Sequence, residues 1–119
     1  MVGNPLCHFE LMALDVEKAK KFYGAVFDWR FESMPGMDYT AVKTGAAPEG
    51  GLMLKPKEAP VPSLGVYFLV ENIEQTLEKV QKANGRVIKP RTPIPEMGAW
   101  AMFMDPDGIC VGIFEAPRK

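Results

Sequence analysis

The chain has one histidine, His8, and it stands two residues before Glu10. At the two-residue period of a β-strand both side chains emerge on one face. An imidazole beside a carboxylate can serve acid–base chemistry or supply part of a cation site. Two residues on one strand lie about 7 Å apart, however, and do not form a ligand set unaided. Each residue also has a plainer reading. His8 is either a ligand contact or a structural histidine bonded to a backbone carbonyl, and Glu10 is either a base or a carboxylate paired with Lys55 at a wet rim. Nucleophilic sets are absent. The lone histidine would have to serve any of them, and Cys7, its neighbour, points the opposite way. No glycine-rich phosphate loop occurs. Cys7 and Cys110 both fall in expected strands, at a spacing that suits neither zinc nor a redox pair, and are read as free, buried, small hydrophobes. Eight methionines are present. Met12, Met53, Met102 and Met104 lie in expected strands, where flexible thioethers either fill a core or line an adaptable pocket.

The elements that must position these groups come in a repeated order. Cys7, Phe9, Leu11 and Ala13 form the apolar face of a first strand, with His8, Glu10 and Met12 on the other. A helix capped by Asp15 follows, with Val16, Ala19, Phe22, Tyr23 and Val26 as its apolar stripe. Close packing is the expected reason for Gly24 inside it. Strands are expected at 29–34, 39–44 and 51–55. A shift of 57 residues then carries Asp15 onto Asn72, Lys18 onto Gln75 and Phe31 onto Ile88, so the plan recurs with little residue identity. The second strand–helix pair has Val66, Phe68 and Val70 facing the helix and Gly65, Tyr67 and Leu69 facing away. Its helix has Asn72 and Gln75 as a capping box, an Ile73, Leu77, Val80 and Ala83 stripe, and Gly85 as its stop. A strand at 86–89 leads into the proline-rich 90–95, which must be a loop or a sheet edge. Asp105-Pro106-Asp107-Gly108 turns a final hairpin.

The expected class is therefore α+β: tandem βαβββ modules forming a cupped mixed sheet. At 119 residues the chain is read as a single domain, with module one at about 6–55, a stiff proline-bearing linker at 56–63 and module two at about 64–116. A cup between two such modules is a natural place for a small ligand. With 14 basic against 15 acidic residues and no basic cluster, nucleic acid is not an expected partner. No apolar run approaches a membrane span and no secretory signal opens the chain, so a cytoplasmic location is expected.

His8 with the DxxKAxxFY pattern from Asp15 to Tyr23, then Phe27-Asp28-Trp29, Gly50-Gly51-Leu52-Met53 and Asp105-Pro106-Asp107-Gly108, resembles the glyoxalase, bleomycin-resistance and extradiol dioxygenase superfamily, the vicinal oxygen chelate fold. Nearly the whole chain is covered. That superfamily hosts isomerases, dioxygenases, epimerases, thiol transferases and metal-free antibiotic-binding proteins. The resemblance implies a divalent ion held by side chains on the first and last strands of each module. His8 falls on one such position. The others fall on Gly65, on Gly112 and on Met53, with Gly51, Leu52 or Leu54 as alternatives to the last, so the resemblance brings one of four ligands and no metal or other cofactor is expected.

The function expected from these residues is metal-free binding of an apolar or aromatic small molecule in the cup. His8, Glu10, Met53, Tyr67, Trp100, Cys110, Gly112 and Phe114 form its wall, Trp100 on side-chain type alone, and tryptophan at Gly112 is expected to fill the cup without harming the fold. The alternative is a lyase, isomerase or dioxygenase-type enzyme using His8 and Glu10, with metal absent or completed by a partner chain. Exposed strand edges suggest a homodimer.

Overall fold

The computed structural model describes residues 3–57 and 61–118; Glu58, Ala59 and Pro60 of the proline-bearing connector lie outside it. Its contacts divide the chain into two units, one from His8 to Gly65 and the other joining Met1–Cys7 to Val66–Lys119.

In the first unit the order is most of β1 (Leu6–Ala13), then α1 (Val16–Phe27), β2 (Arg30–Ser33), β3 (Thr40–Lys43) and β4 (Gly50–Leu54). The strands lie in the sheet order β2-β3-β4-β1, with β1 parallel to β4 and the remaining pairs antiparallel. Asp15 caps α1, its carboxylate accepting from the Lys18 amide at 3.0 Å. Leu11, Val42 and Leu52 are buried beneath the helix, with Phe9, Ala13, Val16, Ala19, Tyr23, Trp29 and Phe31 packed around them. The helix-facing parity of β1 is thus the one its alternation gives.

The stripe of α1 needs correction. Phe22 is 59% and Val26 53% exposed, because the contact face is centred on Val16, Ala19 and Tyr23 and leaves those two on its flank. Gly24 is not forced by tight packing either: a Cβ there would meet the Trp29 carbonyl oxygen at 3.7 Å and the Phe31 ring at 3.8 Å, ordinary contacts.

The second unit contains most of β5 (Ser63–Leu69), then α2 (Ile73–Lys82), β6 (Arg86–Ile94), β7 (Gly98–Met104) and β8 (Cys110–Glu115), in the sheet order β5-β8-β7-β6. Asn72 accepts from the Gln75 amide at 2.9 Å. At the other end of α2 it is Asn84, at φ 72°, that takes the left-handed turn. Gly85 answers a different need: a Cβ there would press on Val80 and the Met104 carbonyl. Val70, Ile73, Leu77, Ala99, Ala101 and Ile113 form the buried core. The proline-rich stretch continues β6 rather than looping away. It lies at a sheet edge, with register shifts on either side of Lys89, where missing N–H groups are tolerated. Asp105 closes the final hairpin by accepting from the Asp107 and Ile109 amides, both at 2.9 Å.

One carboxylate ties this unit together. Glu115 is 2% exposed. It accepts from the Ile73 amide at 2.8 Å, at the start of α2, and from Arg91 at 3.1 Å and Arg118 at 2.7 Å. Burial alone would raise its pKa, but the hydrogen bonds from Arg118, Ile73 and Arg91 prevail and hold the carboxyl below its usual range.

Candidate functional site

His8 and Glu10 leave β1 on the side opposite α1, and what joins them is Tyr39, at the entrance to β3. The Tyr39 hydroxyl donates to Glu10 Oε2 at 2.8 Å and lies 2.8 Å from His8 Nε2. Since its proton is directed at the carboxylate, it meets the imidazole with a lone pair, and the Nε2–H tautomer of His8 completes the chain. The two rings run nearly parallel, at 22°, with centroids 6.4 Å apart. Burial lowers the pKa of His8, while the nearby Glu10 charge works in the opposite direction. The neutral imidazole is therefore the form present at neutral pH.

Gly51 is what lets Tyr39 reach this position. β1 and β4 pair in parallel with Glu10 opposite Gly51 and Met12 opposite Met53. A Cβ on Gly51 would fall on the hydroxyl and ring of Tyr39. In the second unit Tyr67 stands opposite Gly112, and a Cβ on Gly112 would fall on the Tyr67 ring. Tyr67 follows Glu10 by 57 residues, the interval of the sequence repeat. The residue of module one that corresponds to Gly112 is therefore Gly51, and Met53 lies two positions further along the strand.

The other expected residues divide by unit. Trp100 pairs with Phe114 and Met102 with Gly112, so on the pleat all four share the face of β7 and β8 turned away from α2, whose opposite face carries the buried Ala99, Ala101 and Ile113. Trp100, chosen on side-chain type, thus stands beside Phe114. Tyr67 is buried. Cys110 shares the parity but is exposed, which corrects its reading as a buried hydrophobe; it occupies the first position of β8, next to the hairpin turn. Cys7 is half-buried, with a thiol pKa raised by desolvation, and its Sγ lies 3.5 Å from the Tyr67 carbonyl oxygen. Gly112 is buried under Tyr67 and has no room for tryptophan.

A divalent ion of the kind the resemblance implies does not fit these residues. Among the described residues no three His, Cys, Asp or Glu side chains come together, and His8 and Glu10 both bond the Tyr39 hydroxyl. An open catalytic zinc site takes three protein ligands. Also among the described residues, no helix is long and apolar enough to cross a membrane.

Residues 6–45 match the family described as bleomycin resistance protein-like N-terminal. The chain is 28% identical over 116 residues to the protein named as a glyoxylase, CFP32, of Mycobacterium bovis, covering 92% of this chain and 44% of that one. It therefore spans less than half of that relative's length. A glyoxylase-like domain-containing protein of Didymella fabae is 30% identical over 118 residues, with 92% of each chain covered. Among solved structures, an extradiol ring-cleaving dioxygenase from B. fuscum superposes with a TM-score of 0.68 at 16% identity, over 95% of this chain and 32% of that one. Two βαβββ units of one sequence repeat, a full-length glyoxylase-like relative and a shared fold all agree: the chain belongs to the glyoxalase, bleomycin-resistance and extradiol dioxygenase superfamily, and its fold is the vicinal oxygen chelate fold.

Proposed function

We propose that this chain binds an apolar or aromatic small molecule without the help of a metal ion, and that the His8–Tyr39–Glu10 cluster is the polar anchor of that binding. The observation that carries the reading is the shared hydroxyl. His8 and Glu10, the two side chains best suited to hold a cation, meet at the Tyr39 oxygen instead, and glycine stands where a further donor would start. Such a cluster on a strand face orients a ligand by hydrogen bonds while apolar surface supplies affinity.

A second reading draws on the same cluster. A neutral imidazole linked through a phenol to a carboxylate can move a proton, so metal-free acid–base catalysis on a bound compound is the alternative.

A thermal-shift screen of aromatic and amphiphilic compounds tests the proposal on the wild type, His8→Ala and Tyr39→Phe. A compound bound at the cluster stabilises the wild type and loses about 1–2 kcal/mol of affinity in His8→Ala, the worth of one buried hydrogen bond. Equal stabilisation of all three proteins would remove the cluster from the binding site. Conversion of the bound compound, followed by mass spectrometry and abolished in His8→Ala, would favour catalysis.

A further inference from the structure

The Tyr39 oxygen marks a point 2.8 Å from an imidazole nitrogen and 2.8 Å from a carboxylate oxygen. Zinc takes such donors at about 2.0–2.2 Å. Side-chain movements of less than about 1 Å would therefore turn that point into a coordination position. The strand spacing of His8 and Glu10 is no obstacle, because both side chains already converge. A side chain at Gly51, directly opposite Glu10, would be one source of a third donor, and the Tyr39 hydroxyl and ring occupy that space.

We propose that Tyr39 is the internal occupant of a cation position: its hydroxyl fills the point where His8 and Glu10 meet, and its ring fills the volume of a side chain at Gly51. This rests on the metal-free reading above and names the residue that enforces it. Exclusion of the ion is then active. A carboxylate has no room at position 51 while the ring is in place, and the hydroxyl gives both potential ligands a hydrogen-bond partner that needs no charge. The ion kept out is of the borderline divalent class, Zn²⁺, Co²⁺ or Ni²⁺, as one imidazole and one or two carboxylates imply.

Cobalt(II) titration followed by its visible absorption, together with zinc content after dialysis, tests the assignment, with circular dichroism to check that each variant is folded. Tyr39→Ala should bind Co²⁺ at least tenfold more tightly than the wild type. Tyr39→Ala combined with Gly51→Glu should hold one equivalent at least a hundredfold more tightly, and adding His8→Ala should abolish the gain. Tyr39→Leu, which keeps bulk but vacates the hydroxyl position, replaces Tyr39→Ala if the smaller residue leaves the chain unfolded. A folded Tyr39 variant with no gain in affinity, or a gain that survives His8→Ala, overturns the role of Tyr39 and leaves the small-molecule proposal standing. A wild-type protein that retains one equivalent of metal, lost in His8→Ala, overturns the metal-free reading itself.

Discussion

The two units solve one packing problem with opposite chemistry. Each lays a tyrosine ring over a glycine of its last strand, Tyr39 over Gly51 and Tyr67 over Gly112. In the first unit the ring ends in a hydroxyl shared by a histidine and a glutamate. In the second, the charged groups are gathered elsewhere: Glu115, Arg91 and Arg118 meet at the start of α2, while Trp100, Met102 and Phe114 take the face that Gly112 shares. The tyrosines are not counterparts in the repeat, since Tyr67 matches Glu10 by the 57-residue shift and Tyr39 enters from the start of β3; the glycines correspond, and the first unit carries the hydrogen-bonding cluster while the second carries the apolar set. A glycine in a strand interior weakens the strand unless something must approach closely, and here both do so for the same reason.

The largest expected effect tests whether the two tyrosine–glycine pairs are equivalent. Gly112→Trp should destabilise the protein by more than about 3 kcal/mol, at or beyond the upper end of overpacking, because its side chain would fall on the buried Tyr67 ring. Gly112→Ala and Gly51→Ala should each lose about 1–3 kcal/mol in urea unfolding. Gly65→Ala is the control, since among the described residues nothing lies within 4 Å of a Cβ built there. The parallel breaks if alanine is tolerated at one glycine and not at the other.

Next comes Glu115, the buried carboxylate among the described residues. Glu115→Ala removes the acceptor of the Ile73 amide and the partner of two arginines. Arg118 stays half exposed and can recover water, so the expected loss is about 2–3 kcal/mol, below that of a fully buried pair. Because the folded-state pKa of Glu115 is depressed, its contribution is complete above the unfolded carboxyl value, about 4.3, and fades as pH falls through the lower, folded value. Urea unfolding of wild type and Glu115→Ala across the acid range measures this: the gap between them should close on acidification. A gap independent of pH would show that packing, not charge, accounts for the loss.

The smallest effect has the opposite sign and belongs to α1. Gly24→Ala should stabilise by about 0.5–1 kcal/mol, since helix propensity improves and the neighbouring atoms leave room. A loss in thermal unfolding would mean that Gly24 is held closer than its contacts indicate.

Much of the scaffold was legible in the residues. Alternation in β1, the caps Asp15 and Asn72 and the Asp105 turn are local signals, and each is found in the structure where its pattern places it. The same alternation put His8 and Glu10 on one face. Tyr39 escaped because its role depends on register: it reaches Glu10 from 29 residues away, and only the pairing of β3 with β4 and of β4 with β1 aligns them. One signal was present. Two adjacent glycines, Gly50 and Gly51, in a strand are a mark of close approach from both faces, and Phe9 and Tyr39 are the rings that make it. The α1 stripe failed for a related reason, since periodicity shows that a helix is amphipathic but not how far its contact arc extends.

The proline-bearing edge of β6 has a consequence for how this protein meets copies of itself. An open strand edge is a template on which another chain can add main-chain hydrogen bonds, and such edges seed fibrils. Pro90 and Pro93 lie within β6 and have no N–H to offer, and the register shifts beside Lys89 interrupt the regular ladder. Growth of the sheet past β6 is therefore discouraged.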